Sequence, residues 1–371
     1  MQISLIRCIQ IIFFQAVTLA LTAQVPVQHR LADKITEPWR WTRFEELSNL
    51  GVRCMAEESN EGLLFGVDQG IMRYSGYDWT MISLPDSLLE VSITALCMGL
   101  DGSIWVGTDA GLFVVQNGVW NEVFPVVGEG ETVVRDIIRL PGGSLLVGLG
   151  DAGGDSAISG LLHIDNSKKT LYCSAYTYQQ LAKIPDSGYS LFTVPASLTI
   201  PNLNGFGVFS VSDIHIRRDG GIVIAISNKH TKGKVSICSF HRGAPGNLLV
   251  EKVFTENDGL SIKSSVKVAE SQAGELWVVS TASGMGIQLY KNETWQEIRT
   301  SGIFGGQESH NSVLACSDGS VWIEGNGSIF VTNKGRWKVY EHPEIPITTA
   351  SKYIFHEASD EKIWVLGELD E

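Results

Sequence analysis

Three glycines provide the one spacing in this sequence that suggests nucleotide chemistry. Gly148, Gly150 and Gly153 match GxGxxG, in which backbone amides before a helix hold a dinucleotide pyrophosphate. That chemistry requires a helix directly after the glycines, whereas the following segment, ISGLLHI, has the apolar pattern of a strand. We therefore interpret these glycines as part of a hairpin turn, and we predict no cofactor.

Acidic and histidine residues are present but lack a catalytic arrangement. The acidic pairs Glu57/Glu58 and Glu129/Glu131 could supply acid and base groups, yet no partner or spacing points to acid–base chemistry. The sequence contains no HExxH, GxSxG or P-loop motif, and its eight histidines are not at metal-ligand spacing. We predict no catalytic residue and no metal site.

A long aromatic segment is the best candidate for ligand binding. About 35 residues (176–210) interrupt the pattern of the surrounding chain, and long loops in compact domains are often functional. Tyr176, Tyr178 and Tyr189 in this insertion are candidate ligand-binding residues. The alternative is that the insertion simply packs against the body of the domain.

Composition and charge narrow the class of protein. The chain has 371 residues, of which 44% are hydrophobic and only 19% charged, with 39 glycines and ten tryptophans. Such a chain can build a large core and favours many short strands and turns. Its net charge of −13 repels phosphate backbones, so we expect no nucleic-acid partner.

The N-terminal 23 residues have the features of a signal peptide. Arg7 precedes an apolar run, IQIIFFQAVTLAL, and Ala23 allows cleavage before Gln24. The run is shorter than the ~20 residues that span a bilayer. We predict export to the periplasm or the extracellular space, with residues 24–371 forming one domain. An uncleaved N-terminal anchor is the alternative.

Cysteine usage adds little to this interpretation. Five cysteines follow the leader, an odd number without CxxC or Cys/His spacing. Their apolar, strand-like surroundings predict buried free thiols.

An internal repeat indicates the fold. The segment SITALCMGLDGSIWVGTDAGLFVVQNGVW (92–120) consists of four apolar runs separated by three turn signals. Asp-Gly and Asn-Gly between alternating apolar runs favour tight hairpins, because type I′ turns need positive φ at both central residues. The segment therefore predicts a four-stranded antiparallel meander.

The second strand of this unit recurs seven times. Its central position is separated from the next by 41, 41, 77, 54, 45 and 42 residues. A four-stranded unit that repeats at about 40–45 residues is typical of a β-propeller blade. We predict an all-β propeller of about seven four-stranded blades. The recurring positions are Leu64, Trp105, Leu146, Val223, Trp277, Trp322 and Trp364.

A second aromatic position marks the fourth strand of the unit. It is occupied by Trp79, Trp120, Trp295 and Trp337. The segment WTRF at Trp41 has the same pattern but precedes the first unit. The seventh unit lacks its third and fourth strands, so we expect the Trp41 segment to complete that blade in part. We also expect the chain to be a fragment of a longer regulator.

The second repeat resembles a known family. DGSIWVGTDAGL, with SITAL before it and VWNEV after it, is similar to the two-component regulator propeller repeat. The resemblance implies a periplasmic sensor or interaction module without catalytic residues. From the length and aromatic content of the insertion (176–210), we expect a small polar or oligosaccharide ligand, or a partner signalling domain, at the loop face that carries it. The family normally reaches the membrane through C-terminal parts that this sequence lacks. A propeller enzyme, lyase- or glycosidase-like, is the alternative.

Overall fold

Most of the repeat region is defined in a computed structural model of the chain. It describes residues 42–58, 62–125, 132–151, 159–165, 168–172, 210–228, 234–242, 248–262, 266–280, 286–298, 310, 312–325, 328–340 and 353–367. These residues contain 26 strands and three 3-10 helices, Glu45–Leu47, Asp86–Leu88 and Glu256–Asp258. None of the helices in these ranges is long and apolar enough to cross a membrane.

The first three sheets are antiparallel meanders of four strands, numbered in chain order. Sheet 1 contains β1 (Cys54–Glu57), β2 (Leu63–Val67), β3 (Gly70–Tyr74) and β4 (Trp79–Ser83). Sheet 2 contains β5 (Ile93–Met98), β6 (Ile104–Thr108), β7 (Gly111–Gln116) and β8 (Val119–Pro125). Sheet 3 contains β9 (Thr132–Arg139), β10 (Leu145–Asp151), β11 (Gly160–Asp165) and β12 (Lys168–Tyr172).

The next three sheets repeat this order, and the last is shorter. Sheet 4 contains β13 (Ser210–Ile216), β14 (Ile222–Asn228), β15 (Lys234–Arg242) and β16 (Leu248–Phe254). Sheet 5 contains β17 (Val266–Glu270), β18 (Leu276–Ser280), β19 (Ile287–Lys291) and β20 (Thr294–Ile298). Sheet 6 contains β21 (Val313–Ala315), β22 (Ser320–Gly325), β23 (Ser328–Asn333) and β24 (Arg336–Tyr340). Sheet 7 contains β25 (Tyr353–Glu357) and β26 (Ile363–Gly367).

The sheets pack face to face in chain order. The first strand of each sheet contacts the first strand of the next, from β1 through to β25, which places these strands innermost. Second strands are almost wholly buried because they have a sheet on either side, as in β2 and β18. Separate apolar clusters fill the spaces between neighbouring sheets.

Sheet 1 also packs against sheet 7, which closes the ring. Phe65 on β2 is fully buried, with its ring 5.9 Å from that of Trp364 on β26. Phe44, which precedes sheet 1, stacks on Trp364 at 5.1 Å and lies 5.6 Å from Trp79. The arrangement is that of a β-propeller, and the prediction of this fold is confirmed.

The finer prediction, about seven four-stranded blades with an incomplete last blade that the N-terminal strand completes in part, is met only in part by the described residues. Sheet 7 has only two strands in the described part of the chain. Thr42, Arg43 and Phe44 belong to no strand, and Trp41 lies outside the described residues. Phe44 contributes an aromatic contact with Trp364 instead, because its ring fits the apolar space between sheets 1 and 7.

Glutamates at the ends of three first strands link neighbouring sheets. In each case, the carboxylate accepts a hydrogen bond from a backbone N–H in the first hairpin turn of the preceding sheet. A charged acceptor roughly doubles the strength of such a bond. The pairs are Glu57 with Ser359 N (3.0 Å), Glu270 with Arg218 N (2.7 Å) and Glu357 with Ser317 N (2.8 Å).

The three described cysteine side chains, Cys54, Cys97 and Cys316, are buried and free, which confirms the thiol prediction for them. Burial raises the pKa of Cys54 and Cys316 to about 12 and that of Cys97 to about 11. These thiols remain protonated and unreactive at neutral pH.

Gly148 and Gly150 lie within strand β10, so their interpretation as a hairpin turn is wrong; Gly153 is outside the described residues. A Cβ at Gly148 would lie 2.8 Å from Cγ1 of Val211, on the neighbouring sheet 4. Glycine is needed here because sheets 3 and 4 approach too closely for a side chain.

Replacing this glycine should therefore destabilise the protein. We expect Gly148→Val to lower the free energy of unfolding by about 1–3 kcal/mol, the usual cost of overpacking a core. Gly148→Ala should cost less, because a single methyl needs a smaller shift of Val211. Urea denaturation of both variants measures this, and an unchanged midpoint for Gly148→Val would contradict the packing argument.

Candidate functional site

Three charged side chains lie together on the first strands of sheets 3, 4 and 5. Asp136 on β9, Asp213 on β13 and Lys267 on β17 pair with Gly148, Ala225 and Val279 of their second strands. These are equivalent positions of the repeat. First strands surround the central channel of a propeller, where ligands commonly bind. We call this group the Asp–Asp–Lys cluster.

Hydrogen bonds join the cluster across the sheets. Lys267 Nζ donates to Asp213 Oδ1 at 2.8 Å, and Asp213 Oδ2 accepts from the backbone N–H of Val268 at 2.7 Å. Asp136 Oδ2 accepts from the backbone N–H of Ile214 at 3.0 Å, and its Oδ1 from that of Ile137 at 2.8 Å. Each aspartate thus binds a backbone N–H of the next sheet.

Strand irregularities position the two aspartates. One extra residue interrupts the register directly before each of them, Arg135 in β9 and Ser212 in β13. A β-bulge of this kind bends the strand and re-aims the following side chains. Both carboxylates are consequently directed toward the next sheet.

Burial and mutual charge shape the electrostatics of the cluster. Burial, together with the charge of Asp213, raises the pKa of Asp136 from 3.8 to about 6, although Lys267 opposes the shift. Burial lowers the pKa of Lys267, but Asp213 and Asp136 outweigh it, so the pKa is raised overall. Lys267 is therefore a protonated ammonium group at neutral pH, and 36% of its side chain is exposed.

This arrangement suits binding better than bond cleavage. A protonated lysine is not a nucleophile, and both oxygens of Asp136 are engaged by backbone donors. The ammonium of Lys267 has three donors, and its exposed portion can offer them to a polar ligand. Among the residues that the structure describes, no group of three or more His, Cys, Asp or Glu side chains could hold a metal ion.

The raised pKa of Asp136 predicts a pH dependence of stability. The folded chain binds this proton more tightly than the unfolded chain, so the carboxyl disfavours folding as pH rises from about 4 to about 6. Asp136→Asn removes this titration. We compare the free energy of unfolding of the wild type with that of Asp136→Asn at each pH. As pH rises across that interval, the wild type should lose stability relative to the variant, by about 1.4 kcal/mol per unit of pKa shift. Above the interval the difference should stay constant.

Urea denaturation between about pH 2.5 and pH 8 measures this difference. Asp101→Asn is a control of opposite sign, because hydrogen bonds from Ser103 lower the pKa of Asp101. The free energy of unfolding of the wild type minus that of Asp101→Asn should increase as pH rises through the acid range. Parallel pH curves for the wild type and Asp136→Asn would contradict the assignment.

The histidine next to this site, His215, is a neutral structural residue. His215 follows Asp213 on β13, and its Nε2 accepts a hydrogen bond from the backbone N–H of Glu270 at 3.1 Å. Burial lowers the pKa of His215, although Asp213 and Glu270 act in the opposite direction. The imidazole is therefore neutral at neutral pH and contributes to the contact between sheets 4 and 5.

The residues singled out in the sequence do not form this site. Tyr176, Tyr178 and Tyr189 lie outside the described residues, so their role stays a prediction. Glu57 links sheets 1 and 7, and Glu58 forms a 3.1 Å ion pair with Arg73. The acidic pair at 129 and 131 is outside the described part.

Sequence analysis missed the Asp–Asp–Lys cluster, although a weak signal was available. Each member interrupts an otherwise apolar first strand, in the segments VVRDII, VSDIHI and VKVAE. Charged residues are costly to bury unless they are paired, so such an interruption indicates a partner on another strand. The sequence alone does not tell which strand supplies it.

The fold defines the class of protein as a β-propeller, and comparison with solved structures agrees. The extracellular domain assigned to the hybrid two-component system BT3049 of B. thetaiotaomicron matches with a TM-score of 0.58 and 17% identity. The match covers 87% of this chain but only 39% of that one. The structural neighbours thus include an extracellular domain of a two-component system, the class of protein whose propeller repeat this sequence resembles.

Other propellers are similar as well. YCF48 bound to D1 peptide matches with a TM-score of 0.56 and 12% identity, over 86% of this chain and 89% of that one. Virginiamycin B lyase from Staphylococcus aureus matches with a TM-score of 0.50 and 13% identity, over 85% and 91%. No family model and no curated protein matches the sequence. At these identities the likeness shows the fold alone.

Proposed function

We propose that this protein is an exported β-propeller that senses a ligand or a partner domain, as part of a longer signalling protein. One observation carries the proposal: the Asp–Asp–Lys cluster holds a protonated, partly exposed Lys267 on an innermost strand. The Asp213 carboxylate holds this ammonium in place through a 2.8 Å hydrogen bond, and the charge of Asp136 favours its protonated form. The ammonium can donate further hydrogen bonds to a polar group without cleaving it.

The structural neighbours support a binding role outside the cytoplasm. The BT3049 structure is an extracellular domain of a two-component system, and the YCF48 structure has a peptide bound. The signal-peptide features predicted from the sequence of residues 1–23 are consistent with export. Under this proposal, the seven sheets act as the blades of one ring, and sensing alters the contacts between blades or with a further domain.

We expect the ligand to be a small polar molecule or an oligosaccharide. Calorimetry against a panel of neutral and acidic oligosaccharides tests this, with Lys267→Met compared with Lys252→Met. Lys252 lies on the fourth strand of sheet 4, where it bonds the hydroxyl of Tyr290, and is remote from the innermost strands. Lys267→Met should weaken binding by at least about tenfold, the effect of losing a hydrogen bond to a charged group. Lys252→Met should bind as the wild type does.

Equal binding by both variants would contradict the assignment of the Asp–Asp–Lys cluster. Removing residues 176–210 tests the alternative position predicted from the sequence. If that deletion alone abolishes binding, the tyrosine-bearing insertion is the site.

A propeller enzyme is the second candidate. It is favoured by the pKa of Asp136, which lies close enough to neutrality for acid–base work. The lyase from Staphylococcus aureus shows that this fold can carry catalysis. Mass spectrometry of the same panel after prolonged incubation distinguishes the two, because cleavage that is lost in Asp136→Asn would establish an enzyme.

A further inference from the structure

A cavity lies at the periphery of the propeller, between sheets 1 and 2. Its volume is about 380 Å³, which lies within the range of small-ligand sites. The turn after β4 forms one wall, and strands β7 and β8 with the turn before β7 form the other. The lining residues are Pro85, Ser87, Leu88, Ala110, Phe113, Trp120 and Glu122.

The aromatic wall of this cavity is fixed in place. Trp120 Nε1 donates a hydrogen bond to the carbonyl oxygen of Ser83 at 3.1 Å, which ties the indole to the end of sheet 1. Phe113 packs edge-on against Trp120, with ring centroids 6.4 Å apart. Leu88 is buried beneath the turn. A ligand therefore meets a rigid apolar and aromatic surface.

The ionisable residues in and beside the cavity are all acidic. Glu122 is exposed and is the one ionisable residue among the seven that line it. Asp86 and Asp109 adjoin lining residues in the sequence, and both are acidic. Asp109 Oδ1 accepts a hydrogen bond from the backbone N–H of Ser92 at 3.0 Å.

We propose that this cavity binds an organic cation, an ammonium or guanidinium group on an apolar body. The indole of Trp120 attracts a cation to its face, and the carboxylate of Glu122 supplies the opposite charge. Ser87 adds a hydroxyl that can accept a hydrogen bond from an N–H donor. Apolar walls at Leu88 and Phe113 contact the uncharged part of the ligand. The site is separate from the Asp–Asp–Lys cluster and does not depend on its proposed role.

Choline and its uncharged isostere 3,3-dimethyl-1-butanol test the requirement for charge. Calorimetry or NMR titration should detect choline binding in the millimolar range and no binding of the alcohol. Glu122→Gln should weaken choline binding at least about fivefold, and Trp120→Leu should abolish it. Equal binding of the two probes, or wild-type affinity in Glu122→Gln, would overturn the proposal.

The chain offers a matched control in the repeat itself. Trp295 and Glu297 on β20 occupy the positions of Trp120 and Glu122 on β8, and Glu297 is also exposed. Glu297→Gln removes the same charge at an equivalent strand position, so choline affinity should not change. If it falls as much as in Glu122→Gln, the effect is one of net charge, and the proposal fails.

A further set of probes distinguishes a free small-molecule cation from a cationic side chain of a partner protein. Spermidine and arginine methyl ester represent free small molecules, and acetyl-Gly-Lys-Gly-amide represents a side chain on a peptide. Tighter binding of the peptide than of the free cations assigns the cavity to a partner protein, and the reverse order assigns it to a metabolite. Binding of none of these probes contradicts the proposal. Because Trp120→Leu also alters packing, Glu122→Gln remains the decisive variant.

Discussion

Asp213→Ala should lower the free energy of unfolding by about 2–4 kcal/mol. The substitution leaves the buried N–H of Val268 without its acceptor, which costs about 1–3 kcal/mol, and removes the closest partner of the Lys267 ammonium. Breaking a fully buried ion pair costs about 3–5 kcal/mol. The expected value is lower because about a third of the Lys267 side chain reaches solvent.

A double-mutant cycle isolates the ionic contribution. Lys267→Met removes the ammonium but leaves Asp213 bonded to Val268, so it should cost less than Asp213→Ala. The double variant should be more stable than the sum of the single losses predicts, because the single Asp213→Ala change leaves a charge without its partner. Strict additivity in urea denaturation would show that the two side chains do not interact.

Phe65→Ala should also be severe, at about 3–5 kcal/mol. The ring is fully buried and lies 5.8 Å from Trp79 and 5.9 Å from Trp364, so its loss leaves a cavity where sheet 1 meets sheet 7. Because sheet 7 has only two strands in the described residues, it depends heavily on this contact. Amide exchange in residues 353–367 should therefore accelerate more than exchange elsewhere.

Phe113→Ala is the matched control for ring closure. Phe113 is buried on the third strand of sheet 2 and packs against Trp120. Its loss should lower overall stability to a similar degree, but exchange in residues 353–367 should show no selective change. If Phe65→Ala leaves exchange in β25 and β26 no faster than Phe113→Ala does, sheet 7 is not held by sheet 1.

The sequence predicted the repeating strands well because the relevant signals are local. All seven positions of the first aromatic or aliphatic series lie on second strands, from Leu64 on β2 to Trp364 on β26. The four tryptophans of the other series lie on fourth strands. Asn117 and Gly118 both have positive φ, as a type I′ turn requires.

The sequence was less informative where neighbouring sheets meet. Gly148 and Gly150 were interpreted as part of a hairpin turn, yet they lie in β10, where the close approach of sheet 4 leaves no room for a side chain. WTRF has the pattern of a fourth strand, but Phe44 instead provides an aromatic contact with Trp364. In both cases, the deciding neighbour lies on another sheet.

By itself, then, the sequence determined the all-β class, the repeating unit and its turns, since alternation and turn chemistry act over a few residues. Only the tertiary structure decided which side chains share a site. Asp213 and Lys267 are 54 residues apart and meet because two adjacent sheets pack at a particular angle and register. Bulges at Arg135 and Ser212 then re-aim the aspartates, and such one-residue shifts depend on the partner strand rather than on the local pattern.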